Sequence, residues 1–172
     1  MKNILQLLEG GDRRSIGHAD RVVSLVSKNP KLFPKIVAGL WSADRLVRMR
    51  AADAMEKVTR EKPAPLGAYR KELLGLMAES TEAEVRWHLA VMVPRLSLDV
   101  RERELAVSLL HDYLKDRSSI VRTFALQGLA DLALQDASLQ PRVVELLRVA
   151  TRDGTAAMKA RSRKLLARLE RG

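Results

Sequence analysis

The 172-residue sequence predicts an all-α fold built of stacked helix pairs. Leu, Ala, Arg, Val and Glu dominate, while Phe, Tyr and Trp occur twice each. No segment alternates apolar and polar residues as a half-buried strand would. One pattern also recurs: DRLVRMRAADAMEKV at 44–58, EAEVRWHLAVMVPRL at 82–96, SSIVRTFALQGLADL at 118–132 and TAAMKARSRKLLARL at 155–169. Val47, Val85, Val121 and Met158 fall in register at spacings of 38, 36 and 37, and each is followed by a cation, Arg48, Arg86, Arg122 or Lys159. A period of this length marks an array in which one supersecondary unit stacks on the next.

Other amphipathic segments lie between the copies, and each supplies a first helix to the copy after it. PKLFPKIVAGLWS at 30–42 begins a unit that spans 30–60. LGAYRKELLGLMAES begins the unit 66–97, VRERELAVSLLHDYL the unit 99–135, and LQPRVVELLRVATRD the unit 137–171. Pro, Gly, Ser and Asp stand at their edges, where turns and helix caps require them. HADRVVSLVSKNP reads as the second helix of a degenerate unit at 12–29, and residues 1–11 as a remnant or cap. All of this fits a single domain, since a chain of this length buries about 70% of its unfolded surface.

An acidic or small residue, then Val-Arg, then Ala at the fourth and often the seventh position resembles the HEAT repeat family. Residues 44–60 and 116–132 match best, and the likeness covers about residues 12–171. It implies a right-handed α-solenoid of about four helix pairs, with the second helices lining a concave side. It also implies that Asp44 and Asp116 pair with Arg48 and Arg122 or their neighbours. The last unit departs from the pattern, with Met158 for valine and Lys159 for arginine.

Placing residues at 100° intervals puts Val47, Ala51, Ala54, Met55 and Val58 on the core side of the second helix. Opposite lie Met49, Asp53 and Glu56, which correspond to Trp87, Val91 and Pro94 in the next unit. That outward strip is apolar where a polar one is expected. Arg48, Arg86, Arg122 and Lys159 edge it on one side, and Arg50, His88, Phe124 and Arg161 on the other. Apolar centres with Trp and Arg at their margins are the composition of protein-binding patches. The candidate partner-binding residues are therefore Arg48, Met49, Arg50, Asp53, Arg86, Trp87, His88, Val91, Arg122 and Phe124. Trp87 is either the anchor of that patch or packing between repeats, and the arginine row has internal pairing as its alternative role. Pro94 should bend its helix. Trp41 reads as core or convex surface.

The formal net charge is +10, and the excess sits at the two ends: seven Lys and Arg against three Asp and Glu in residues 1–43, six against one in residues 154–172. Cations that neutralise phosphates drive nucleic-acid binding by releasing counterions. Lys159, Arg161, Arg163, Lys164 and Arg168 are the candidate phosphate contacts, with a solvated terminal cap as the other reading. Arg163 occupies a position that is apolar in earlier units, Ala52, Ala90 and Leu126.

Chemistry has little support. There is no cysteine, so disulfides and thiolate chemistry are excluded. His18, His88 and His111 lack ligand spacing, which predicts no metal and no cofactor. Glycine-rich phosphate loops and nucleophile turns are lacking as well. The HEAT-like DNA glycosylases that excise alkylated bases offer one enzymatic alternative, with Trp87 as the aromatic and Asp53 as the carboxylate. No signal-peptide core and no membrane-spanning run is present, so the expected compartment is the cytoplasm. The expectation is a non-catalytic scaffold that binds a protein, or else a nucleic-acid backbone.

Overall fold

A computed structural model describes residues 3–12 and 17–171. Among them the regular structure is entirely helical. The α-helices are α1 (Ala19–Lys28), α2 (Phe33–Ala38), α3 (Arg45–Thr59), α4 (Arg70–Glu79), α5 (Ala83–Met92), α6 (Val100–Tyr113), α7 (Ser119–Gln135), α8 (Gln140–Asp153) and α9 (Ala156–Leu169). Short 3₁₀ turns precede or extend several of them. The chain divides into two compact units, Met1–Tyr69 and Arg70–Gly172.

In the first unit, α1 and α2 pack on α3. Val22, Val26, Phe33, Ile36, Leu40, Val47, Ala51 and Met55 are all buried there. Asp44 starts α3 by accepting a hydrogen bond from the Leu46 amide at 2.8 Å. This satisfies one of the donors that a helix start leaves unpaired. Gly39 lets α2 lie close to α3, since a Cβ at that position would stand 2.8 Å from the Ala51 Cβ.

In the second unit, α4 pairs with α5, α6 with α7, and α8 with α9. The second helices of these pairs, α5, α7 and α9, also pack side by side. The central one, α7, is apolar around most of its circumference because it has helices on several sides. Gly128 permits the α5–α7 approach: a Cβ there would collide with the Ala90 carbonyl oxygen. Local signals agree with the tertiary arrangement. Asp99 and Glu102 form a reciprocal capping box on α6, Ser118 caps α7 and Thr155 caps α9.

Each of the four sequence copies lies on a helix, α3, α5, α7 or α9. Val47, Val85 and Val121 are 2%, 1% and 0% exposed, which confirms the register, while Met158 at the last copy is half-buried. At the Pro94 position the outcome is more abrupt than a bend. Helix α5 ends at Met92, and Val93–Arg95 forms a single 3₁₀ turn.

Candidate functional site

The arginine row is tied to backbone. Arg48 donates to the carbonyls of Ser42 and Ala43, six and five residues upstream. Arg122 does the same to Asp116 and Arg117, and Arg86 reaches the Ser80 carbonyl at 2.6 Å. Each guanidinium thus satisfies carbonyls of the turn leading into its own helix. Asp116 adds a link between neighbouring pairs, its carboxylate accepting from Arg86 at 2.6 Å. Asp44, expected to pair with Arg48, caps α3 instead. Arg86 also lies over the Tyr113 ring, 5.2 Å from its centroid, and the Tyr113 hydroxyl donates to the Met77 carbonyl. Burial holds that phenol protonated by raising its pKa well above the ordinary value.

Across α5, α7 and α9 runs a second ladder. Trp87 stacks on Phe124 with ring centroids 4.9 Å apart and planes at 25°. Arg161, from α9, lies over the same Phe124 ring, 5.0 Å from its centroid. These three side chains are half-buried and occur at successive intervals of 37 residues. Arg161 also donates to Gln127 at 2.9 Å; Gln127 donates to Asp131 at 3.0 Å, and Asp131 accepts from Arg168 at 2.9 Å. Burial raises the Asp131 pKa, opposed by the positive charge of Arg168 and by the Gln127 amide. Beside the ladder lies a shallow depression of about 420 Å³ between α7 and α9, lined by Ile120, Thr123, Phe124, Ala157, Arg161 and Lys164.

Several candidate residues are not on an open surface. Arg50 is 1% exposed, and its guanidinium donates to the carbonyls of Leu8, Gly10 and Asp12. It anchors the N-terminal loop. His88 is buried, with its Nδ1–H donating to the Glu84 carbonyl and its ring stacked beside Trp87. Val91 and Pro94, placed outward by the helical wheel, are buried because the neighbouring α7 covers them; the Gln135 amide donates to the Pro94 carbonyl at 2.7 Å. Met49 is half-buried. The Asp53 carboxylate lies 2.9 Å from Lys57, a charge partner that a base or transition-state stabiliser would have to share. Trp87 and Asp53 belong to different compact units.

At the C-terminal end, Arg163, Lys164 and Arg168 are exposed, and Lys159 and Arg161 are half-buried. Ala52, Ala90 and Leu126 are buried, whereas Arg163 at the matching position is exposed. Sequence reasoning missed Ile120 and Asp131 as members of this face, while Gln127 falls on the outward strip of its unit. The 37-residue interval from Trp87 through Phe124 to Arg161 was the available signal. Among the described residues no cluster of His, Asp or Glu has the makings of a metal site, and no helix is long and apolar enough to cross a membrane. No protein-family model matches the chain, and no curated protein is similar to it.

Proposed function

We propose that this chain is a HEAT-like repeat protein of the right-handed solenoid type that binds another protein without catalysis. The observation that carries this reading is the half-buried Trp87–Phe124–Arg161 ladder across α5, α7 and α9, flanked by the depression at Ile120 and Lys164. Aromatic and arginine side chains already fixed by stacking lose little further freedom on binding, so they suit a docking surface. Packing of the second helices against one another and the capping of turn carbonyls by Arg48, Arg86 and Arg122 support the HEAT-like assignment. Exposed cations at Lys164 and Arg168 favour a partner that sets an apolar side chain into the depression beside carboxylates. The proposed compartment is the cytoplasm, and no cofactor is invoked.

Ile120 is 51% exposed, so Ile120→Asp alters the face with little effect on the fold. Affinity capture from nuclease-treated lysate of the source organism, comparing wild type, Ile120→Asp and Lys164→Glu, tests the reading. The expected result is a protein retained by wild type and lost by both variants, whose melting temperatures stay near wild type. A set of captured proteins unchanged by either substitution would reject the face as the docking surface.

A further inference from the structure

The first unit carries a surface that the protein-binding reading does not use. Residues 21–43 contain Arg21, Lys28, Lys31 and Lys35 and no Asp or Glu. Within this run the helical segment 30–41 is two-faced. Phe33, Ile36, Val37 and Leu40 are buried, whereas Lys31, Pro34, Lys35, Ala38 and Trp41 are exposed. Trp41 is 51% exposed, and no ring or cation of the described residues stacks on it. Among the described residues neither Lys31 nor Lys35 has an ion-pair partner. Four carboxylates elsewhere in this unit are engaged: Asp20 and Asp53 lie on Lys57, Glu56 on Arg60, and Asp44 on the start of α3.

We infer that the exposed face of residues 31–41 binds single-stranded nucleic acid, with Lys31 and Lys35 on successive phosphates and Trp41 stacking on an unpaired base. Unneutralised lysines beside an open aromatic face are the two components of sequence-tolerant single-strand binding. The distance from Lys31 to Trp41, ten helical residues, is about 15 Å, which spans a few nucleotides. Duplexes fit less well, because their base faces are already covered by neighbouring pairs and only the lysines would engage. An anionic membrane surface is the competing partner. It would draw on the same lysines, but Trp41 and Ala38 give it too small an apolar face for insertion.

The test is fluorescence anisotropy of a labelled oligothymidylate, with a duplex of equal length and phosphatidylserine vesicles as comparison probes. Wild type should bind the single strand most tightly. Trp41→Ala should weaken it about tenfold, in line with the contribution of one stacked base, and Trp41→Phe should keep most of the affinity. Lys31→Ala combined with Lys35→Ala should reduce the slope of log affinity against log salt by about 1.4, from two lost phosphate contacts on a single strand. All of these positions are exposed, so the variants should melt near wild type. Unchanged affinity in Trp41→Ala, stronger binding to the duplex or to vesicles, no binding of the oligonucleotide, or loss confined to a variant lacking Arg163, Lys164 and Arg171 would each overturn the inference.

Discussion

Trp87 stacks on Phe124 across the α5–α7 boundary, centroid to centroid at 4.9 Å, so a half-buried aromatic of this face is also part of the packing between helix pairs. The two roles make different demands on substitution. Trp87→Phe keeps a ring and should cost under about 1 kcal/mol, whereas Trp87→Ala should cost about 2 kcal/mol, less than full burial would give because the ring is half-buried. A double-mutant cycle with Phe124→Ala, measured by urea unfolding, should return a coupling near 1 kcal/mol. Zero coupling would mean the stack is incidental to stability.

Gly128 tests how closely α5 and α7 must lie. Replacing it with Ala adds about 1 kcal/mol of helix propensity, but the new Cβ collides with the Ala90 carbonyl oxygen and presses on Leu110. Because the obstacle is backbone, relief requires moving a helix, an overpacking cost of about 3 kcal/mol. Gly128→Ala should therefore destabilise by about 2 kcal/mol in a denaturant melt. A stabilised variant would show that the two helices separate easily.

Much of the fold was legible because a 37-residue period needs only local rules. Apolar spacing gave the helices, Pro and Asp their edges, and Val47, Val85 and Val121 the buried register. The faces were harder to read. A helical wheel assigns each residue an angle but not the element standing at that angle, so it could not know that α7 covers Val91 and Pro94. Arg50 illustrates the same limit. Its partners are carbonyls some 40 residues upstream, and a carbonyl has no side-chain identity for a sequence pattern to reveal.

Arg50 should accordingly act as a structural residue. Arg50→Met keeps much of the apolar stem but leaves the carbonyls of Leu8, Gly10 and Asp12 without their donor, at a cost of about 3 kcal/mol. Lys in its place offers a point charge rather than a fork and should recover less than half of that. Limited proteolysis of the segment from Leu8 to Asp12, read by mass spectrometry, should accelerate in Arg50→Met well before global unfolding. Cleavage at the wild-type rate would show that the loop is held by other contacts.

His111 gives the second unit a pH dependence whose sign follows from its surroundings. It lines a groove of about 510 Å³ between α6 and α8, with Arg103, Glu104, Asp136 and Arg142 around it, and its Nε2 is buried without a hydrogen-bond partner. Burial lowers its pKa below the ordinary 6.5; Arg142 and Lys115 push the same way, against Asp112. The unfolded chain therefore takes up a proton before the folded one does. Stability contributed by this residue is complete above about pH 6.5 and declines as pH falls from there through the lowered folded value. His111→Gln should remove that decline, and Arg142→Ala should shrink it by withdrawing one of the repelling charges. Melting temperatures of the three proteins between pH 7.5 and pH 5 provide the comparison. Wild type and His111→Gln falling in parallel across that range would show that the imidazole is protonated as easily in the fold as in the unfolded chain.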